Sequence, residues 1–296
     1  MKVLYIAGSG RCGSTVLSQL LGEIEGFVNI GEVRYLFNTK MRQDDLPCSC
    51  GQQPYECTFW RNYIQEIPEE VVQWATAMLR IKQFPLLLLK YTLTGKDQNL
   101  NAFRATIIEL YRRISEETGA KVIIDTSKHP VFLWALSLVD DVELFVLHLI
   151  RDPRDVVTSW SNPKGYLRER ATLQTSLQWI LYNILPEVLY AQSKKYMRLR
   201  YEDFLGQPLD SVRTIITFLQ EDSGLIHSLR YEENCGFELR RAQHILAGNP
   251  DKQLRSRFLM IEPRQLIRNR AKDISVLLLC WPFLLRYNYL MSRLRK

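Results

Sequence analysis

Residues 2–21 read Lys-Val-Leu-Tyr-Ile-Ala-Gly-Ser-Gly-Arg-Cys-Gly-Ser-Thr-Val-Leu-Ser-Gln-Leu-Leu. The apolar, partly β-branched run at 2–7 predicts a short buried strand. It breaks at Gly8-Ser9-Gly10. Beyond Ser14, Val16, Leu17, Leu20, Leu21 and Ile24 recur at helical spacing. The order is therefore strand, glycine-rich loop, helix. The spacing Gly8-x4-Gly13-x-Thr15 fits the phosphate-loop pattern G-x4-G-K-[ST], except that Ser14 stands where the lysine belongs. Arg11 supplies a cation inside the loop instead. Glycines let the backbone curl around an anion with its N–H groups inward. The helix N-terminus adds favourable partial charge, and a guanidinium grips oxyanions in a fork. The plainer alternative is a glycine-rich strand-to-helix turn with no ligand. The strand before, the helix after and the arginine within favour the anion site.

Working outward, Phe27 to Ile30 is a second short strand, ended by Gly31-Glu32. Residues 38–60 read as irregular and 66–95 as helical, around the apolar knot Phe84 to Leu89. A helix over 101–118 ends at Gly119, a suitable C-cap. Lys121 to Asp125 is a strand, Thr126 to Pro130 a turn, and 131–139 a helix. Glu143 to Ile150 is a buried-type strand, with Pro153 suited to the first turn of the next helix. A long helix over 171–193, a strand at Tyr196–Arg200 and a helix over 208–220 follow. Strands alternating with helices imply an α/β fold: three layers, α/β/α, around a parallel sheet of about five strands, of the phosphate-loop nucleotide-binding type. No linker divides the chain, so residues 1–296 read as a single domain. It carries a mainly helical insertion near 38–98 and a basic amphipathic C-terminal region near 262–296.

Composition narrows the classes. Apolar residues make up 46% and charged residues 24%, which argues against general disorder. The net charge of +7 is concentrated, because residues 240–296 hold 13 basic and three acidic side chains. Such a tail suits an anionic membrane surface, an anionic small molecule or simply a solvated face. No nucleic-acid module accompanies it, so a nucleic-acid partner is not expected. The longest apolar run, Val276 to Leu285, is half the length of a membrane span and contains Pro282. No signal-peptide core is present. These features predict a cytoplasmic chain, with peripheral membrane contact through the basic C-terminus left open. Cys48, Cys50 and Cys57 form a C-x-C-x6-C cluster. Zinc usually takes four ligands, and no fourth His or Cys is close in sequence. The cluster therefore reads as a local disulfide or as structural thiols, and no metal is expected.

A second motif spans His148-Leu-Ile-Arg151-Asp152-Pro153-Arg154-Asp155-Val-Val-Thr158-Ser159-Trp160. Arg151 falls at the C-terminal edge of a strand, where α/β sheets bind ligands. Ser159 follows about two turns along the next helix. A cation at the strand end and a hydroxyl on the facing helix can grip one phosphate together. An Arg–Asp surface lattice through Asp152 and Asp155 is the competing reading.

Taken together, the two motifs resemble those of the sulfotransferases that use 3′-phosphoadenosine 5′-phosphosulfate (PAPS). Supporting segments lie at 31–34, 125–130, 201–203 and 248–255, so the resemblance reaches across most of the chain. It implies that Gly10, Arg11, Cys12, Gly13, Ser14 and Thr15 hold the 5′-phosphosulfate, and that Arg151 and Ser159 hold the 3′-phosphate. Tyr201 looks like the family residue near the adenine. The segment His244 to Arg255 resembles the late basic loop over the nucleotide, implying Asn249, Lys252 and Arg255. Gly31-Glu32-Val33-Arg34 resembles the Gly-Glu segment of the protein-tyrosine, carbohydrate and bacterial branches rather than the small-molecule branch. It implies Glu32 as general base, with Lys128 at the bridging oxygen and His129 as the reserve base. PAPS would be co-substrate and 3′,5′-ADP product, with no metal required. The acceptor would be a small-molecule, glycan, lipid-like or peptidyl hydroxyl, or an amine.

Two rival readings remain at this level. Val122-Ile-Ile-Asp125 also looks like the second motif of a phosphate-loop kinase, with Thr15 reaching Mg²⁺. A non-catalytic nucleotide- or membrane-surface adaptor would use the basic C-terminus alone. A kinase needs Mg²⁺ and ATP, and an adaptor consumes no donor.

Overall fold

The computed structural model describes residues 1–40, 48–139, 141–162, 168–233, 235–241, 243–247, 257–261 and 269–290. In chain order its main elements are β1 (Lys2–Ala7), α1 (Ser14–Leu21), β2 (Phe27–Gly31), α2 (Trp60–Gln65), α3 (Glu69–Met78), α4 (Phe84–Thr94) and α5 (Gln98–Thr118). Next come β3 (Val122–Lys128), α6 (Pro130–Ser137), β4 (Glu143–Ile150), α7 (Pro153–Ser161), α8 (Thr172–Tyr190) and β5 (Tyr196–Arg200). Then follow α9 (Tyr201–Gly206), α10 (Pro208–Phe218) and, near the C-terminus, α11 (Arg270–Arg286). The five strands β1 to β5 form one parallel sheet in the order β2-β3-β1-β4-β5.

The sequence explains why β1 is central. Val3, Tyr5 and Ala7 are buried in one hydrophobic cluster, and Leu4 and Ile6 in another. A strand apolar in both phases has to be covered on both faces. Leu17, Leu20 and Leu21 of α1, with Ile215 and Ile216 of α10, cover one face. Phe103, Ile107 and Tyr111 of α5, with Leu133 and Leu136 of α6, cover the other. The region read as an insertion holds α2, α3 and α4, which pack their buried Trp60, Tyr63, Val72 and Leu87 onto that second cluster. A third cluster joins α7, α8 and α11 through Val157, Trp179, Val276, Cys280 and Leu284. Val276, Cys280 and Leu284 are four residues apart, so they make a single buried stripe on α11. Among the described residues no helix is long and apolar enough to cross a membrane.

One difference from the sequence reading bears on function. The chain does not turn after Asp125 but stays in β3 as far as Lys128. Tyr5 of β1 pairs with Asp125, yet Ala7 pairs with Lys128, so β3 holds one extra residue at its end. This is a β-bulge, a device that re-aims side chains. Lys128 carries it with φ of 61°, a left-handed conformation that disfavours side chains other than glycine's. Helix α6 then starts at Pro130, whose fixed φ suits a first turn.

Candidate active site

All five parallel strands release the chain at the same edge of the sheet. The loop after β1 is the glycine loop, and Glu32 follows β2. Lys128 ends β3, Arg151 follows β4 and Tyr201 follows β5. Each strand thus delivers one of the residues singled out in the sequence to the carboxyl edge. In open α/β sheets that edge, near the reversal of strand order beside β1, is where ligands bind.

The loop has no room for larger residues at two glycines. A Cβ on Gly8 would lie 2.2 Å from the Leu149 carbonyl oxygen of β4. One on Gly13, whose φ is +98°, would lie 2.2 Å from the Tyr201 ring. Tyr201 therefore seats on the loop itself. Arg11 adopts φ of 70°, and its Nε donates to Ser159 Oγ at 2.9 Å. Arg151 Nη1 donates to the Arg11 carbonyl at 3.0 Å, and its guanidinium lies 4.7 Å from the Tyr201 ring centroid. The two sequence motifs, far apart along the chain, are joined by these contacts into one basic cradle. Two buried polar atoms in it, Ser9 Oγ and Arg151 Nε, lack a hydrogen-bond partner among the described residues. Buried polar groups are ordinarily paired, so a cradle of this kind is suited to an anion that completes the set.

Of the two aspartates that made an Arg–Asp lattice credible, Asp152 turns to Arg154 rather than to Arg151. Asp152 gives its carboxylate to Arg154 at 2.6 Å and also caps α7 by accepting from the Arg154 N–H. Arg154 reaches on to the Tyr289 carbonyl, tying the segment after α11 to this turn.

Across the cradle lies a buried ion pair. Lys128 Nζ is 2.7 Å from Glu32 Oε1, 2.7 Å from the Thr126 carbonyl and 3.2 Å from Ser14 Oγ. Lys128 and Glu32 are each only 7% exposed. Burial pushes the Glu32 carboxyl up, but Lys128 and Arg34 outweigh it and hold the group below its ordinary 4.5. Arg34 Nη2 is 3.3 Å from Glu32 Oε2 and donates to Tyr35 Oη at 2.8 Å. Ser14 occupies the position where a phosphate loop usually has lysine, and Lys128 brings an ammonium to that same point from another strand.

His129 is used differently. Its Nδ1 accepts from the Phe132 N–H at 3.4 Å, so it caps α6, and its ring packs edge-on against Tyr182 at 5.6 Å. Burial, with Arg34 nearby, lowers its pKa to about 3. Asp125 is also engaged. Its Oδ1 accepts from the Ser127 N–H at 2.7 Å, and Oδ2 accepts from the buried Tyr111 hydroxyl. Burial raises its pKa to about 6, against the hydrogen bonds from Ser127 and Tyr111. Asn249, Lys252 and Arg255 lie outside the described residues.

The sequence reading missed several neighbours. The Trp160 ring would lie 3.1 Å from a Cβ on Gly10, and its centroid is 5.9 Å from the Arg11 guanidinium and 3.8 Å from that of Arg170. Burial lowers the pKa of Arg170, which also senses Tyr35, Tyr182, Arg34 and Glu32. Arg34 and Tyr35 thus border the Glu32 carboxylate, while Arg170 packs on Trp160 and Tyr182 on His129. Only Trp160 and Arg34 fell inside quoted motifs, and neither showed in sequence which way it faces.

The model of the sulfotransferase family matches residues 4–223, the stretch that holds β2 to β5, most of β1, and Arg11, Glu32, Lys128, Arg151, Ser159 and Tyr201. The chain belongs to the sulfotransferase family. Solved sulfotransferases are similar to it at low identity. The sulfotransferase domain of the Synechococcus PCC 7002 olefin synthase is 15% identical, with 96% of this chain and 94% of that one covered and a TM-score of 0.50. The sulfotransferase domain of the curacin biosynthetic pathway is 16% identical over 93% of this chain and 96% of its own, with a TM-score of 0.49. A Mycobacterium avium sulfotransferase is 12% identical over 96% of this chain and 76% of its own, also with a TM-score of 0.49. No curated protein matches the chain. The expected α/β fold with a five-stranded parallel sheet is the fold of this sulfotransferase.

Proposed function

We propose that this sulfotransferase moves the sulfuryl group of PAPS to a hydroxyl or amine of its acceptor, with Glu32 as general base. The observation that carries the proposal is the position of Lys128 Nζ, between Glu32 at 2.7 Å and Ser14 Oγ of the anion cradle at 3.2 Å. One ammonium there borders both the group that takes a proton and the loop that holds the leaving phosphate.

PAPS supplies an activated sulfuryl group on a phosphate leaving group. Gly10, Arg11, Cys12, Gly13, Ser14 and Thr15 would hold its 5′ end, and Arg151 with Ser159 its 3′-phosphate. Tyr201 would flank the adenine, as the resemblance implies. In the reaction the acceptor oxygen attacks sulfur in line, and its O–S bond forms as the S–O bond to the phosphate breaks. The acceptor proton passes to Glu32. Lys128 and Arg11 stabilise the charge gathering on the bridging oxygen. Preorganised donors of this kind are each worth about 10²–10³ in rate. General base catalysis adds about 10²–10⁴. By analogy with phosphoryl transfer, positioning and charge stabilisation then carry the rest.

With the pair intact, Glu32 is a weak base because Lys128 and Arg34 lower its pKa. Lys128 turning from Glu32 toward the phosphate would strengthen the base at the moment the donor is seated. The kinase reading is disfavoured because Asp125 is fully buried and turns its carboxyl to Ser127 and Tyr111, while Ser14 stands where the loop lysine belongs.

Calorimetric titration with 3′,5′-ADP in magnesium-free buffer tests the reading, with 5′-AMP and ATP–Mg²⁺ as comparisons. Clear preference for 3′,5′-ADP is expected. Preference for ATP–Mg²⁺, or no binding of any of the three, overturns it.

A further inference from the structure

The cysteine cluster is not the local disulfide that was one of its two expected readings. All the described cysteines are free, and Cys50 Sγ lies 3.7 Å from Cys57 Sγ, well beyond the roughly 2.05 Å of a disulfide. The missing fourth group is present in space. His244 Nδ1 is 3.3 Å from Cys57 Sγ and 3.8 Å from Cys48 Sγ, although it follows Cys57 by 187 residues. The three sulfurs and this nitrogen all lie within 4.8 Å of one another.

We propose that Cys48, Cys50, Cys57 and His244 hold one zinc ion in a closed, structural, tetrahedral site. Zn–S bonds of about 2.3 Å and Zn–N bonds of about 2.05 Å put tetrahedral ligand atoms about 3.5–3.8 Å apart. Three of the six separations, at 3.3, 3.7 and 3.8 Å, lie close to that spacing, and all six are within 4.8 Å, a set that a bound ion would draw slightly inward. Three soft thiolates and an imidazole in this shape select zinc over magnesium or calcium. Four protein ligands leave no open position, which is the mark of a structural rather than a catalytic site.

The surroundings are built to hold the ligands. Gly51 turns the chain with φ of 89° directly after Cys50, and its N–H donates to the Cys48 carbonyl at 2.8 Å. The Cys48 N–H donates to the Gln52 carbonyl at 2.9 Å and the Cys57 N–H to the Gln53 carbonyl at 2.8 Å, so the backbone of two ligands is held from outside the coordination sphere. The His244 ring stacks on Phe59 with centroids 5.2 Å apart and planes 6° from parallel, and its carbonyl accepts from Trp60 Nε1 at 2.7 Å. Cys48 and Cys57 are buried.

The ion would clamp the loop before α2 to the segment 243–247. That segment is not idle. Leu246 bridges to both Cys48 and Gly31, and its carbonyl accepts the Glu32 N–H at 2.8 Å. The zinc site therefore secures the backbone at the start of the ion pair, without lying among the reacting groups. His244, which the sequence resemblance put at the start of a nucleotide loop, serves this clamp.

The test is metal content by plasma mass spectrometry on the full chain purified without chelator. One zinc per chain is expected, in colourless protein. Cys57→Ala and His244→Ala should lose most of it, while Cys235→Ala, at an exposed cysteine, should keep it. Should the first two variants fail to fold, cobalt exchanged into the unmodified protein gives the decision. Intense visible d–d bands with a thiolate-to-cobalt charge-transfer band are expected for a tetrahedral sulfur-rich site. Stripping the zinc with a strong chelator should lower the melting temperature. Protein that holds no zinc as isolated or after incubation with Zn²⁺ overturns the proposal. So does a brown iron–sulfur chromophore, weak six-coordinate cobalt bands, zinc retained by the variants, or an unchanged melting temperature once the zinc is gone.

Discussion

The buried pair Lys128–Glu32 gives a prediction that needs no substrate. In Lys128→Met the Glu32 carboxylate stays in its buried position with Arg34 at 3.3 Å as its remaining ion-pair partner. Breaking a buried pair from one side typically destabilises by about 3–5 kcal/mol. Arg34 remains and the carboxyl can take up a proton, so the low end applies, about 3 kcal/mol. At roughly 2–4 °C per kcal/mol for a chain of this size, the melting temperature should fall by roughly 6–12 °C at pH 7. Glu32→Gln should produce a comparable loss, by leaving the ammonium buried beside Ser14 and Thr126. The double variant removes both charges and should be about as stable as either single one, a coupling of about 2–3 kcal/mol. The pH dependence has a definite sign. The folded-state pKa of Glu32 is lowered from 4.5, so its contribution is fully present above that value and lost as pH falls through the lower folded one. In Lys128→Met burial is opposed by Arg34 alone, the pKa rises, and the deficit relative to the parent should shrink on acidification. Circular dichroism melts of the four proteins from pH 7 downward measure all of this. If the double variant loses the sum of the two single losses, the ion pair carries no coupling and the reasoning is wrong.

Arg11→Ala should reduce sulfuryl-transfer turnover by at least about 100-fold, read as PAPS-dependent product formation, and near-normal turnover would remove Arg11 from the chemistry. Arg151→Ala should weaken 3′,5′-ADP by roughly 10–100-fold, the worth of about 1.5–3 kcal/mol of charge-assisted hydrogen bonding, and leave 5′-AMP nearly unaffected. Equal weakening of both nucleotides would take the 3′-phosphate away from it. Glu32→Gln should lower turnover by about 10²–10⁴, whereas His129→Asn preserves a side-chain cap on α6 and should cost far less. A larger loss at His129 would exchange their roles. Gly13→Ala would drive a Cβ to 2.2 Å from the Tyr201 ring at a φ of +98°. It should lower both the melting temperature and the 3′,5′-ADP affinity, and calorimetry showing wild-type affinity would refute the seating of Tyr201 on the loop.

What was legible in the sequence was local. The run Lys2 to Leu21 contains its own strand, loop and helix signals, and the sheet built around it has five parallel strands as expected. Arg151 and Ser159 could be put at a strand end and on the helix that follows, because two turns of helix is a short-range distance. Lys128 was found as a residue but not as a conformation. Nothing in Asp-Thr-Ser-Lys-His-Pro announces a bulge, since the extra residue is defined only against Ala7 of a neighbouring strand. The same applies to Asp152, whose partner among two nearby arginines depends on side-chain direction. His244 is the extreme case. Ligand-spacing rules search a window around the cysteines, whereas the fold returns the chain to them 187 residues later.

Two of these illegible parts, the bulge at Lys128 and the placement of His244, share a cause that bears on mechanism: each is fixed only by residues from a distant part of the chain. Glu32 shows this most fully. Its backbone N–H is held by Leu246, its carboxylate by Lys128 and Arg34, and the next strand end, at Ser127, fixes the Arg34 N–H at 3.0 Å. A side chain restrained from so many directions cannot adjust alone. A change at Cys57 or His244 should therefore reach Glu32 through Leu246, although neither residue touches the ion pair. That route separates a structural metal from a catalytic one. Loss of zinc should shift the stability of the Glu32–Lys128 pair and the melting temperature together, so the double-variant coupling described above should shrink in metal-stripped protein. A coupling that survives stripping unchanged would mean that the clamp and the ion pair are independent.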